Sequence, residues 1–428
     1  MTARYLSADR RQLRWDVVDL ESQLASDHKA RVVWAYVSGL ELPELYAAID
    51  AVEGGPGRPP PDPAILLALW LYATLEGVGS ARQLDRLCQR DIAYRWLCGG
   101  VPVNYHGLSD FRVSYGAVLD RLLRESVTVL VTQGVVTLDE VAIDGTKIQA
   151  SAGRRSFRGA GKLSEIESTA HALVEKLKTE VESDPAASDK RRRAAQRRAA
   201  EDIERRAAEA RQALEKLRAE RAENAKTHKQ AEAAKGEPCA SRTDPDARLM
   251  RFADGAVRAG YNVQLAVAPA CGVILAAQVT DRRNDAGQAM PMIEQIKDHL
   301  AAAPQRVLVD THYATHEDIV SLADQDIAVY APVPADKSEV TEETRRRRQW
   351  ERDREPDALK TWRARMASDE GKATYQRRLR IETVNGILKG RGLGLMLVRS
   401  MAKVACVVRL QALAHNLWRA HCLRPAAA

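Results

Sequence analysis

The hydrophobic pattern of the first 135 residues is helical. Pro61-Asp62-Pro63 precedes an unbroken apolar run, Ala64 to Thr74, and Asp62 or Pro63 can open a helix there. Gly77-Val78-Gly79-Ser80 breaks the run, and Ala81 to Arg90 continues as a second helix. Two helices joined by a short glycine turn fit a helix-turn-helix. They fit an ordinary helical hairpin as well, and the hairpin is the plainer expectation because the DNA-binding motif has no strict residue code. A further helix, Ser109 to Gln133, carries Phe111, Tyr115, Val118, Leu122 and Val129.

The pattern then changes period. Val135–Leu138 and Val141–Ile143 read as a strand region that ends at Asp144-Gly145. Val263, Leu265 and Val267 alternate along a strand from Tyr261 to Ala268. A turn at Ala270-Cys271-Gly272 leads into a second strand, Val273 to Val279, so a hairpin is expected. Ala286–Leu300 reads as a helix, Arg306–Val309 as a buried strand ending at Asp310, His316–Gln325 as a helix and Ile327–Ala331 as a fifth strand. Ser338 to Met366 is highly charged and has no clear apolar period. Amphipathic helices follow over Tyr375–Leu388 and Val404–Leu423. This order predicts an α/β fold with a mixed sheet flanked by helices.

Between the first strand and the hairpin lies a charged, alanine-rich insert, Gly161 to Lys235. Ile166, Ala170, Leu173, Leu177 and Val181 give its first half a helical stripe, and Ser183-Asp184-Pro185 breaks it. Ile203, Ala207, Ala210, Leu214 and Leu217 form a seam of about two heptads in the second half. An antiparallel helical hairpin is expected. Lys190 to Ala222 holds 12 basic and 6 acidic residues, most of the net charge of +7. The arm is either a solvated surface or a support for a phosphate backbone.

Length and composition narrow the classes. A chain of 428 residues suggests about two or three domains and buries a large core without staples. Aromatic residues are only 5%, which argues against a carbohydrate cleft or a base-stacking platform. The longest apolar run is too short to span a bilayer. No apolar signal region follows Met1, and six scattered cysteines include no Cys-x-x-Cys. A cytoplasmic protein with reduced thiols and no membrane association is expected. No glycine-rich phosphate loop is present, so a nucleotide cofactor is not supported.

Three carboxylates stand at suggestive places. Asp144 ends the first strand, Asp310 ends the fourth, and Glu382 lies on the late helix. Strand ends of a twisted sheet are where sites form. Clustered carboxylate oxygens suit hard divalent cations such as Mg²⁺, and two such ions can drive phosphodiester cleavage. Each residue has a plainer role available. Asp144-Gly145 can be a turn, Asp310 can orient its loop, and Glu382 can pair with Arg378 four residues back. Their joint occurrence in this order favours a site. Tyr375, Arg378, Glu382 and Lys389 follow the spacing Tyr-x2-Arg-x3-Glu-x6-Lys and would share an arc of roughly 60° on one helix. One acid with two cations on a face makes sense if the acid binds metal and the cations bind phosphates.

These motifs resemble the bacterial insertion-sequence transposases of the DDE type, in the branch with the Tyr-Arg-Glu-Lys signature, nearest to insertion-sequence group 1182. The likeness runs over nearly the whole chain. It includes Leu108-Ser109-Asp110-Phe111-Arg112, Asp144-Gly145-Thr146-Lys147 with Ala150-Ser151-Ala152, Thr243-Asp244-Pro245-Asp246, Gly260-Tyr261-Asn262-Val263-Gln264 and Ala414-His415-Asn416-Leu417.

The resemblance implies an RNase H-like catalytic core over 136–428, interrupted by the helical insertion at about 161–240, and a helical DNA-binding domain over 1–135. It implies Asp144, Asp310 and Glu382 as catalytic, metal-binding residues for two Mg²⁺, with Mn²⁺ able to substitute. Arg378 and Lys389 would hold transposon-end phosphates, with Tyr375 supporting the site. The expected activity is cleavage at the terminal inverted repeats and strand transfer into target double-stranded DNA, by a homodimer or larger assembly on DNA. One departure stands out. Asp310-Thr311-His312-Tyr313 has His312 where a small residue is expected. His312 motivates a second expectation, a catalytically silent DNA-binding protein derived from a transposase. A third is a scaffold that self-associates through the arm.

Overall fold

In the computed structural model, residues 19–49, 59–183, 190–227, 236–334 and 341–423 are described. Asp184 and Pro185 of the expected breaker in the insert lie outside them. The N-terminal part is built from α1 (Lys29–Ser38), α2 (Pro43–Ala47), α3 (Pro63–Leu75), α4 (Ala81–Arg90), α5 (Ile92–Cys98), α6 (Tyr105–Ser114) and α7 (Gly116–Thr132). Asp62 opens α3 by accepting from the Ala64 amide at 2.8 Å, with Pro63 in the first turn. From Ile65 to Leu75 every side chain of α3 is buried, as expected of a helix apolar on all sides.

The break at Gly77 makes a corner rather than a hairpin. Gly77 has φ +73°, and α4 packs chiefly on α5 and α6 instead of lying back along α3. The corner is braced from inside by Arg112, which is buried, donates to the Gly79 carbonyl and lies 4.7 Å from the Trp70 ring.

The second part holds a six-stranded mixed sheet. Its strands are β1 (Glu140–Gln149), β4 (Arg248–Arg251), β5 (Val257–Ala268), β6 (Val273–Thr280), β7 (Arg306–Leu308) and β8 (Ala328–Tyr330). β1 runs antiparallel to β5 and parallel to β7, which is parallel to β8. β4 and β6 share the other edge of β5. This mixed sheet with its many helices is consistent with an RNase H-like core. One expectation is corrected. β1 does not end at Asp144 but continues to Gln149, so Asp144 and Gly145 sit in mid-strand, paired with Leu265 and Gln264. The hairpin-turn reading of Asp-Gly is thereby excluded.

The insert is an antiparallel pair, α8 (Ala160–Ser183) and α9 (Lys190–Thr227), tied at its root by the two-residue strands β2 (Phe157–Arg158) and β3 (Ala240–Ser241). Ala207, Ala210, Leu214 and Leu217 are buried as the seam predicts, whereas Ile203 is exposed. On α8 the stripe is shifted by one residue. Val174 is buried and Leu173 is exposed, because Val174 falls four residues after buried Ala170 and three before buried Leu177.

The remaining helices are α10 (Ala289–Leu300), α11 (His316–Ala323), α12 (Glu342–Asp353), α13 (Asp357–Ala367), α14 (Asp369–Gln376), α15 (Leu379–Gly390) and α16 (Met401–Leu423). The charged stretch after Ser338 thus contains two helices, and α13 buries Leu359 and Trp362 against the core. The helix expected over Tyr375–Leu388 is two helices, with a turn at Arg377-Arg378.

Two hydrophobic clusters meet along α7 and α16. On α16, Val404, Val408 and Ala412 face the sheet, while Cys406, Leu410, Leu413 and Ala414 face the helical part. Asn416 clamps the β5–β6 hairpin. Its amide accepts from Ile274 N at 2.8 Å and donates to Ile274 O at 2.7 Å, and His415 Nε2 meets Gly272 O at 2.9 Å. The Thr243–Asp246 segment secures the start of the same helix. Asp244 accepts from Ser400 N at 3.0 Å and Asp246 from Met401 N at 2.8 Å, two acids at a helix N-terminus. Among the described residues no helix is long and apolar enough to cross a membrane.

Candidate functional site

Asp144 stands on a central strand and faces α15. One carboxylate oxygen accepts from Arg378 Nη2 at 2.9 Å, the other from Asn385 Nδ2 at 2.9 Å. The same guanidinium turns its second branch to Glu382, with Nη1 to Oε1 at 2.9 Å. Arg378 therefore stands between the two acids. Its side chain is 11% exposed, Asp144's 19% and Glu382's 54%, so the pair is sunk at one end and open at the other.

The electrostatics agree. Burial pushes the Asp144 carboxyl above its usual range, Arg378 pulls it back, and the nearby negative charges of Asp285 and Glu382 push it further up. Burial works against the charge of Arg378. The combined effect of Asp144, Tyr375, Asp310 and Glu382 outweighs it and raises the guanidinium. Tyr375 is pushed up mainly by its own burial. Asp310 comes two residues after the end of β7, and its side chain accepts from the Thr311 amide at 2.5 Å.

The structure thus brings Asp144, Arg378 and Glu382 into direct contact and sets Tyr375 and Asp310 within electrostatic reach. Lys389 is not joined to them. It is exposed at the far end of α15, and among the described residues it has no ion pair. His312 is exposed. The buried member of its turn is Tyr313.

Sequence reasoning missed several polar residues around Asp144. Asn385 is 7% exposed, and Asn262 and Gln264 are 1% and 0% exposed on β5. The signal was present for the last two, since polar residues at alternate positions of an apolar strand are either functional or hydrogen-bonded. Asp285, in the loop between β6 and α10, gave no such signal.

Divalent ions need several oxygens converging on one point. Asn385 Oδ1 and Asn262 Oδ1 are buried acceptors with no hydrogen-bond partner among the described residues. Yet among the described residues no three acidic, histidine or cysteine side chains come close enough to share an ion. The reason is Arg378, whose guanidinium separates Asp144 from Glu382. As arranged, Arg378 holds the place between Asp144 and Glu382 that a shared ion would need.

Two family models match the chain. One, described as a transposase DDE domain, covers residues 237–417, and the other, described as a transposase domain (DUF772), covers residues 18–114. Both matches are transposase domains, and together they support an insertion-sequence transposase. The DDE match includes Asp310, Arg378 and Glu382, while Asp144 lies between the two matches. Domains of this type generally use divalent metal ions and act on DNA. No curated protein and no solved structure matches the chain.

Proposed function

We propose that this transposase binds the terminal inverted repeats of its own element, cuts there in a metal-dependent reaction and joins the freed 3′ ends to target DNA. The observation that carries the reading is the meeting of two acids from distant segments at one arginine, with a third in electrostatic reach. Asp144 and Glu382 bond Arg378, and Asp310 is close enough to shift its charge equilibrium. A purely structural ion pair has no need of a third acid in the turn after the neighbouring strand.

The helical N-terminal part, residues 1–135, and the basic arm are the proposed DNA-binding elements. Asp144, Asp310 and Glu382 are the proposed catalytic acids, in a core over 136–428. Tyr375, Arg378 and Lys389 are the proposed contacts to end phosphates. Mg²⁺ is the proposed ion because all three acids offer hard oxygens, with Mn²⁺ as a substitute. When bound, such an ion supplies Lewis acidity at the scissile phosphate. Before Asp144 and Glu382 can converge, Arg378 has to leave them, and a DNA phosphate is the partner that suits its fork. Handling two ends together calls for a dimer or larger assembly on DNA.

The test is cleavage of duplexes made from the genomic segments flanking this gene, with Mg²⁺. Asp144→Ala, Asp310→Ala and Glu382→Ala should each abolish cutting while end binding persists. A variant that cuts at the wild-type rate removes its residue from the assignment.

A further inference from the structure

A fourth carboxylate, Asp285, lies close enough to Asp144 to push its carboxyl up, and its contacts follow from one absent side chain. Gly145 is paired with Gln264 across the β1–β5 ladder. A Cβ on Gly145 would overlap Asp285 Oδ1 and come within 2.8 Å of Gln264 Nε2. The glycine of Asp144-Gly145 is therefore required by side chains laid across the strand, not by a turn. Asp285 comes from the loop between β6 and α10, where the three residues before it, Arg282, Arg283 and Asn284, are exposed. It is folded inward, and one oxygen accepts from both Asn262 Nδ2 at 2.7 Å and Gln264 Nε2 at 2.9 Å.

Gln264 passes the constraint on. Its amide nitrogen is committed to Asp285, so its carbonyl oxygen is turned the other way, where it accepts from the Tyr313 hydroxyl. Gln264 and Tyr313 are 0% and 1% exposed, and water does not substitute for either bond from bulk. Tyr313 closes the turn that begins at Asp310, with Tyr313 N to Asp310 O at 3.0 Å. A carboxylate only accepts, whereas a primary amide can be turned either way and a tyrosine hydroxyl can donate or accept. Among these three groups only Asp285 dictates the direction of the bonds.

We propose that Asp285 is a positioning residue for DNA cleavage: it fixes the amide of Gln264, which holds Tyr313 and with it the turn that carries Asp310. The proposal rests on the reading of Asp310 as a site acid. It also accounts for two polar residues inside an apolar strand and for the glycine after Asp144.

The experiment compares full-length Asp285→Ala, Asp285→Asn and Tyr313→Phe in single-turnover, Mg²⁺-dependent cleavage of the gene-flanking duplexes. Asp310→Ala is run alongside, and end binding and thermal unfolding are measured on every variant. Asp285→Ala should slow cleavage about ten- to a hundredfold, the scale of a small misplacement of a reacting group, with end binding unchanged. Asn keeps an acceptor oxygen for both bonds, so Asp285→Asn should recover most of the rate. Tyr313→Phe deletes one hydroxyl from a packed ring and should slow cleavage in the same way. The double variant Asp285→Ala/Tyr313→Phe should be no slower than the slower single, because both break one chain of bonds.

Three results overturn the proposal. One is wild-type cleavage by Asp285→Ala. Another is Asp285→Asn as slow as Asp285→Ala, which would make charge and not bonding the contribution. The third is independent, multiplying losses in the double variant. If Asp310→Ala cuts normally, the site reading itself fails and this proposal falls with it. If Asp310→Ala is dead while Asp285→Ala is normal, only the proposal falls. Should Asp285→Ala not fold, Asp285→Asn and Tyr313→Phe still decide the question.

Discussion

The helical arm and the Asp144 corner are both crowded with charge, and they use it in opposite ways. On the arm, Arg205 pairs with Asp202 and Glu209 at 2.6 and 2.7 Å, three and four residues away, with all three side chains well exposed. Lys162–Glu165 and Lys178–Glu175 repeat the arrangement. At the corner, Arg378 meets Asp144 across 234 residues, and both are largely withdrawn from water. Coulomb's law is the same in both places, but the surroundings are not. Exposed pairs are screened and contribute roughly 0–1 kcal/mol. A withdrawn pair gains more and also loses more hydration, so its existence depends on the whole fold. Counting charges thus locates the arm, and only tertiary structure locates the site.

The largest expected effect follows directly. Arg378→Met leaves Asp144 withdrawn and without its cation, and it should cost about 2–4 kcal/mol in urea unfolding, somewhat below the usual loss for a broken buried pair. The reduction has a cause. Asp144 is already pushed toward its protonated form by burial and can shed its charge. Adding Asp144→Asn should restore most of the stability while leaving cleavage dead. If the double variant is as unstable as Arg378→Met, the arginine is held by packing rather than by the pair, and the contrast with the arm disappears.

The same contrast explains what could be read in the sequence. Local features were legible. Asp62 and Pro63 opening α3, the alternation of Val263, Leu265 and Val267, and the buried seam of Ala207, Ala210 and Leu214 depend on spacing alone. The one-residue shift from Leu173 to Val174 was not legible, because the partner helix decides which of two adjacent apolar residues turns inward. Asp144, Arg378 and Glu382 could be singled out by their order and by resemblance. Their contact could not, nor could the continuation of β1 through Asp144-Gly145, since the pairing that extends it is made by β5 more than a hundred residues later. Asp285 had no local mark at all. The turn at Arg377-Arg378 divides a segment whose polar spacing reads as one helix, and Lys389 lies outside the corner because it is two helical turns beyond Glu382.

A second long-range contact sharpens the comparison with a proton. His415 is 1% exposed on α16, and burial, reinforced by the nearby cations Arg391, Arg419 and Arg380, pushes it down to about 4. The native state therefore refuses a proton that the unfolded chain takes up near its ordinary 6.5. The stability from this residue is fully present above that value and is lost as the pH falls from 6.5 toward 4. Between roughly pH 7.5 and pH 5 the loss should be about 2 kcal/mol. His415→Gln should be less stable at neutral pH and should lack this part of the pH dependence. Equal slopes for the two proteins would mean that His415 is hydrated in solution.

The arm supplies the smallest effect and the strictest check. Arg205→Ala removes one member of a double exposed pair and should change unfolding free energy by no more than about 0.5 kcal/mol, vanishing in concentrated salt. A loss of several kcal/mol would show that the arm's charges hold its two helices together. Arg192 and Arg198 are different, for they are exposed and, among the described residues, have no acidic partner. Arg192→Gln/Arg198→Gln should leave stability unchanged. If the arm lies along a phosphate backbone, each lost contact removes about 0.9 from the slope of log K against log salt, so the double change should reduce that slope by about 2. An unchanged slope would return the arm to a solvated surface. The DNA would then have to be held by the helical N-terminal part and the corner around Arg378 alone.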